Sequence, residues 1–152
     1  MLDQLFAYGT LQLPEITTLV LGRALYGEPA ELPDYHCGRV ARANFPGIVP
    51  SPGARVSGTL FTGLKADDWP HLDRYEGELY RRVQVNVALT GSGQHTRSWV
   101  YVMVGWAQDR VTQVPWTIEW YRRQSARRRL TYRNGQSGPP GRRIGFVCPP
   151  VN

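Results

Sequence analysis

Tyr80-Arg-Arg-Val-Gln-Val-Asn-Val-Ala-Leu89 sets Val83, Val85, Val87 and Leu89 at every second position, the period at which a pleated strand presents one face. Gly91-Ser92-Gly93 turns the chain. Arg97 to Trp106 then runs back, with Trp99, Tyr101, Met103 and Gly105 alternating with Val100, Val102 and Val104. The pair predicts an antiparallel hairpin. Working outward, Asp3 to Tyr8 is a short aromatic strand that Gly9-Thr10 stops. Arg55 to Leu64 is a further strand, with Val56, Gly58, Leu60 and Thr62 on one face and Phe61 opposite, and Tyr35 to Phe45 is another. Glycine and proline are expected to break the chain between Gly27 and Pro33. The run Pro46-Gly47-Ile48-Val49-Pro50 is expected to be a fixed bend that Ser51-Pro52-Gly53 extends as a loop.

Three helices fit between and after these strands. Glu15 to Leu25 carries Ile16, Leu19, Val20 and Leu25 at helical spacing, with Pro14 near the start. Asp67-Asp68-Trp69-Pro70 looks like a helix start with Asp67 or Asp68 as the cap, and the helix ends at Gly77. Trp116 to Leu130 has no breaker, and Pro115 suits its first turn. Antiparallel strands with inserted helices, rather than a strict βαβ alternation, predict an α+β fold: a small mixed, mainly antiparallel β-barrel with flanking helices. Residues 1–133 are expected to form one domain. Residues 134–152 are a Gly/Pro-rich C-terminal tail, in which Arg142 to Cys148 could add a last short strand.

Composition narrows the function classes. No apolar run has the ~18 residues of a membrane span, and the first residues lack a basic segment followed by an apolar one. A cytoplasmic protein without membrane association is expected. The two cysteines, Cys37 and Cys148, are expected to be free thiols, although a disulfide between them would also satisfy the count. The net charge of +6 is uneven: residues 1–109 hold nine Lys/Arg against eleven Asp/Glu, and residues 110–152 hold nine Arg against Glu119 alone. Seventeen of the eighteen basic residues are arginine, a bias that weakens any argument from arginine as a chosen recognition group.

Dinucleotide, phosphate-loop and zinc signatures are missing, as is a Gly-x-Ser-x-Gly elbow, and His36, His71 and His95 are scattered. No cofactor and no metal are expected. Two features remain. Glu76, at the end of the predicted short helix, feels the unfavourable end of the helix dipole, and in an apolar cleft its carboxyl would titrate near neutrality. It could equally be a solvated turn residue. The turn Tyr8-Gly9-Thr10-Leu11 could aim backbone N–H groups at a carboxylate or an oxyanion, or simply end a strand.

Four stretches in order decide between these alternatives: Phe6-Ala7-Tyr8-Gly9-Thr10-Leu11, Phe45-Pro46-Gly47-Ile48-Val49-Pro50, Val56-x-Gly58-x-Leu60, and Leu72-Asp73-x-Tyr75-Glu76-Gly77-x-x-Tyr80-x-Arg82. Together they resemble the gamma-glutamylcyclotransferase-like, or AIG2-like, family. The resemblance implies a compact barrel with a cavity at one side and Glu76 as the catalytic acid–base residue. It also implies a loop from Tyr8 through Leu11 that binds a gamma-glutamyl group through its backbone, and no cofactor. The implied reaction cyclises a gamma-glutamyl amine, amino acid or peptide to 5-oxoproline and releases the amine.

Tyr80 and Arg82 are added as substrate-binding candidates, with Arg82 alternatively holding the helix–strand junction. Pro46-Gly47 is expected to shape a pocket wall. Phe45 stands where the family motif more often has tyrosine. The expected partner is a small gamma-glutamyl molecule, and the chain is expected to be a monomer or a small homo-oligomer. The rival reading is a non-catalytic protein of the same fold that binds a ligand, a partner or nucleic acid through the Arg-rich segment 122–133. There Arg122-Arg123, Arg127-Arg128-Arg129 and Arg133 stand among Trp116, Trp120, Tyr121 and Tyr132. Specific nucleic-acid binding is not expected.

Overall fold

Period-two alternation does build the sheet. In the computed structural model, which describes residues 2–133, five strands close into a barrel in the order β1-β3-β2-β4-β5. They are β1 (Leu5–Ala7), β2 (Gly27–Arg39), β3 (Pro46–Phe61), β4 (Tyr80–Leu89) and β5 (His95–Met103). All neighbours are antiparallel except β1 with β5, which meet in parallel at Leu5 and Trp99. The predicted hairpin is β4–β5, in register from Tyr80↔Met103 to Ala88↔His95. Its inward side chains, Val83, Val85, Val87, Val100 and Val102, pack with Phe6, Ile48, Val56 and Leu60 inside the barrel. The opposite faces of β1 and β5 carry Leu5, Ala7 and Tyr101. These pack with Leu11, Trp69 and Leu72 under the helices.

The helices are α1 (Pro14–Leu21), α2 (Asp68–Glu76) and α3 (Ile118–Arg133). Pro14 opens α1, and Gly22 closes it in the left-handed conformation (φ 80°), so this helix stops short of the expected Leu25. Asp67 stands at the N-cap of α2, as expected, but its side chain makes no capping hydrogen bond, and Asp68 is the first helical residue. Asp68 turns back to accept the Lys65 amide at 2.8 Å and a two-pronged ion pair from Arg23 at 2.9 and 2.6 Å. The return strand β5 ends at Met103, before the expected Trp106, and Gly105–Arg110 coils into a 3₁₀ turn. The tail 134–152, with Cys148 and the suggested last strand, lies outside the described residues; Cys37 is a free thiol.

The largest corrections concern proline. Gly27 to Pro33 and Pro46 to Gly53 were expected as breaks and bends, yet both lie within long strands that pair with each other. Two devices make this possible. First, residues 46–58 of β3 pair only with β2, because β1 reaches just Thr59 to Phe61. Prolines at its start and along its one-sided arm therefore sacrifice no central ladder bond.

Second, the ladder is interrupted by a bulge between Pro33↔Arg55 and Tyr35↔Pro50. Asp34 sits there at φ 65° and Gly53 at φ 85°, and the Asp34 Oδ1 accepts the Gly53 amide at 2.9 Å. The single odd residue shifts the parity of β2: Ala30 and Leu32 face the core before it, Tyr35 and Cys37 after it. Asp34→Ala removes that acceptor and leaves a β-carbon in a left-handed residue, so a loss of about 1–2 kcal/mol in urea unfolding is expected.

Candidate active site

At one end of the barrel, the chain leaving β1, the end of α2 and the hairpin tip of β2–β3 converge on a small, partly open pocket. Its lining includes Tyr8, Gly9, Thr10, Leu11, Glu76 and Tyr80, six of the seven residues singled out from the sequence. Phe45, Pro46 and Tyr101 complete much of the wall.

The loop half is a 3₁₀ turn at Thr10–Gln12 with Gly9 ahead of it. The Gln12 and Leu13 amides bond back to the Gly9 and Thr10 carbonyls at 3.1 and 2.9 Å. The amides of Gly9, Thr10 and Leu11 have no acceptor among the described residues, as expected for the first turn of any such coil. Glycine lets this entry lie close against Pro46: a β-carbon on Gly9 would stand 3.0 Å from Pro46 Cγ and force that ring to give way by a few tenths of an ångström. Thr10 and Leu11 are buried, and Thr10 Oγ1 bonds the Tyr75 hydroxyl at 2.7 Å, which ties this turn directly to the helix that carries Glu76.

The helix half is the last turn of α2. Gly77 ends it at φ 81°. Glu76 as a residue is half-buried, but its carboxyl is strongly desolvated. That burial, reinforced by the negative charge of Asp73, pushes its pKa up to about 8. No hydrogen bond or ion pair reaches the carboxyl among the described residues, so nothing offsets the cost of charging it. The surrounding phenols are neutral throughout the working range: burial above all raises Tyr8 and Tyr80 far above their ordinary values, and Tyr101 likewise. Tyr8 donates to the Tyr101 carbonyl at 2.6 Å and Tyr80 to the Pro46 carbonyl at 2.5 Å, while Phe45 packs edge-on against Tyr80 with ring centres 6.2 Å apart.

Arg82 lies outside this lining. Its guanidinium pairs with Asp73 at 3.0 and 3.2 Å and lies over the rings of Trp69 and Trp99, 4.6 and 4.5 Å from their centres. It therefore holds the junction between α2 and β4. Tyr101 and Asp73 were not singled out as site residues. Tyr101 was legible only as one position of an alternating strand, and Asp73 only as part of a motif. The Tyr101 hydroxyl donates to Asp73 Oδ1 at 2.7 Å.

The Arg-rich helix takes up several of its own groups. Trp116 is buried and donates to the Asn44 carbonyl at 2.8 Å, Arg39 stacks 3.9 Å over the ring of Trp120, and Arg122 pairs with Glu15 of α1 at 2.7 Å. The side chains of Arg127, Arg128, Arg129 and Arg133 lie outside the described ones. Among the described residues no three acidic, histidine or cysteine side chains cluster as a metal would need, and no helix is long and apolar enough to cross a membrane.

The family model for gamma-glutamyl cyclotransferase, AIG2-like, matches residues 5–126. Protein AIG2 B of Arabidopsis thaliana is 32% identical over 120 residues, which is 78% of this chain and 69% of that protein. A second Arabidopsis thaliana protein, solved in solution, superposes with a TM-score of 0.67 at 26% identity, covering 86% of this chain and 87% of its own. A solved structure described as a gamma-glutamyl cyclotransferase gives a TM-score of 0.62 over 97% of this chain and 94% of its own. At 21% identity it is a likeness of fold.

Proposed function

This chain belongs to the gamma-glutamyl cyclotransferase, AIG2-like family, and from that premise we propose that it is an enzyme cyclising a gamma-glutamyl amine, amino acid or peptide to 5-oxoproline. The observation that carries the proposal is the meeting, in one pocket, of an unpartnered desolvated carboxyl on Glu76 with the Gly9–Leu11 turn, whose amides are open. A single acid–base group facing an anion-binding edge suits an intramolecular acyl transfer. The substrate brings its own nucleophile, and no triad is needed.

The α-amino group of the substrate attacks the γ-carbonyl carbon of the same molecule. The α-amino group of a peptide N-terminus titrates at about 7.7–8.0, and the free α-carboxylate beside this amine raises its value above that range. Proton transfer to the Glu76 carboxyl, at about 8, is therefore only modestly uphill. Glu76 takes a proton from the ammonium, and the freed nitrogen forms the new N–C bond. The carbonyl electrons move onto oxygen, where amides of the Gly9–Leu11 turn donate to the oxyanion or hold the α-carboxylate. Collapse breaks the bond to the departing nitrogen, which receives the proton from Glu76. Of the three hydrogens on the starting ammonium, the ring nitrogen keeps one and Glu76 relays one to the departing nitrogen. The third leaves the ring nitrogen after the attack for the released amine, which departs as an ammonium, or for solvent. Glu76 ends as it began.

The chemistry needs one proton shared between Glu76 and the amine, neither two nor none. A bell-shaped dependence of kcat/KM on pH follows, with its acid limb set by Glu76 near 8 and its top at or somewhat above that value. The test is a panel of gamma-glutamyl amines, amino acids and peptides assayed for 5-oxoproline across pH 5 to 10. Release that peaks at or somewhat above pH 8 and disappears in Glu76→Gln is expected. A substrate turned over equally well by that variant overturns the assignment.

A further inference from the structure

Asp73 is used by nothing in that mechanism, yet it stands where both halves of the site meet. It lies three residues before Glu76 on α2, about one helical turn away. Both of its oxygens are engaged: Arg82 holds them as a fork at 3.0 and 3.2 Å, and the Tyr101 hydroxyl donates to Oδ1 at 2.7 Å. The Tyr101 carbonyl in turn accepts the Tyr8 hydroxyl at 2.6 Å, and Tyr8 immediately precedes the open amides of Gly9 to Leu11. One chain of hydrogen bonds thus runs from β4 through α2 and β5 to the end of β1. Arg82 is fixed independently by the two indoles beside it, so the anchor of the chain is rigid. A fork to arginine and a phenol donor are more than a surface carboxylate needs for solvation.

We propose that Asp73 is a positioning residue for Glu76: with Tyr101 it ties the last turn of α2 to Tyr8 just past the end of β1, and its charge, tempered by Arg82, sets the field in which Glu76 gains and loses its proton. The inference rests on the acid–base reading of Glu76. The other groups facing the site leave the field to this pair. Tyr8 after β1, Tyr80 on β4 and Tyr101 on β5 stay neutral, and so does Cys37 on β2, whose thiol burial pushes up to about 12. The Tyr75 hydroxyl is bonded to Thr10. Arg74, Glu78 and Arg81 are exposed and hold no hydrogen bond to a site residue among the described residues; Asp73 is exposed too, but Arg82 and the Tyr101 hydroxyl fix its carboxylate in place. Asp73 itself remains ionised. Burial works against its charge, but the bonds from Arg82 and Tyr101 outweigh burial and hold its carboxyl below the ordinary range.

The consequence is a pair of opposite shifts. Asp73→Asn keeps the shape and removes the negative charge, so Glu76 ionises more easily. Arg82→Gln uncovers the Asp73 charge, so Glu76 ionises less easily. The test follows the Glu76 carboxyl by carbon-13 NMR titration in wild type and both variants, with Glu76→Gln identifying the signal. A midpoint lowered by about half a unit to one unit in Asp73→Asn and raised by a similar amount in Arg82→Gln is expected. The acid limb of kcat/KM should move the same way.

Two midpoints that stay put, or that move in the same direction, overturn the proposal, since a purely structural role would not split their signs. If Arg82→Gln does not fold, the downward shift in Asp73→Asn decides. Arg82→Lys, which keeps the charge and loses the fork, must then titrate near wild type. The titration needs no substrate. A wild type that turns over no gamma-glutamyl compound would sink the reaction above, while the split midpoints would still establish the coupling.

Discussion

Glu76→Gln is expected to lower 5-oxoproline release by at least about 10³-fold while making the folded protein more stable at alkaline pH. The first effect follows from asking one group to do two things: accept a proton from the attacking amine and return it to the departing one. Acid–base catalysis by a placed side chain contributes about 10²–10⁴-fold, and an amide can take neither role. The second effect comes from the same burial that makes Glu76 useful. Its pKa rises from an ordinary 4.5 to about 8 in the fold, so between those values the folded chain holds a proton that the unfolded chain releases. Stability therefore falls as pH rises through that window, and the penalty is complete above about pH 8.

Glutamine does not titrate, so the variant escapes the penalty. The difference in unfolding free energy should be near zero at pH 4, grow through pH 6 and 7, and level off at about 2–4 kcal/mol above pH 8. The figure is reduced from the full conversion because the residue is only half-buried. Urea unfolding of both proteins at pH 5, 7 and 9 measures it. A variant less stable than wild type at pH 9 would mean that the carboxylate is held by a favourable partner. The same result would remove the physical ground for its role as a base.

The two halves of the site were legible in the sequence to different depths. Glu76 and the Tyr8–Leu11 turn stand at element ends, where glycine marks both a change of direction and an exposed backbone, so local pattern and motif order sufficed to bring them together. Tyr101 and Asp73 could not be found that way, because their partnership spans 28 residues and depends on how α2 lies across β5. Of the two roles read for Arg82, its position on β4 fits either, and only the placement of Asp73, Trp69 and Trp99 sets its guanidinium at the junction. The prolines misled for a related reason. Pro46 and Pro50 read as breakers so long as the strand is imagined with two neighbours; on the one-sided arm of β3 they break nothing. Barrel closure was expected as a class, whereas the order of its strands depends on contacts between β1, β3 and β5 that no local period encodes.

Gly58→Ala joins the two scales, because the motif residue Gly58 marks a place where two backbones nearly touch. A β-carbon built there would stand 2.4 Å from the Ala7 carbonyl oxygen and 2.8 Å from Cζ of Phe6. A carbonyl in a paired strand cannot turn aside as a flexible side chain can, so β1 itself must move, and Phe6 is fully buried in the barrel core. A loss of about 3 kcal/mol is expected, at the upper end of overpacking. The displacement does not stop at Ala7. Tyr8 and the open amides of Gly9 to Leu11 follow it directly, and a misplacement of about 1 Å at such groups costs about 10²-fold in rate. The folded fraction of Gly58→Ala should therefore show kcat/KM reduced by about two orders of magnitude. Gly91→Ala is the control, because a β-carbon there meets nothing within 4 Å and should change stability by less than about 0.5 kcal/mol. Full activity in a stably folded Gly58→Ala would show that β1 does not carry the amides that bind substrate. The Tyr8–Leu11 turn would then revert to the end of a strand.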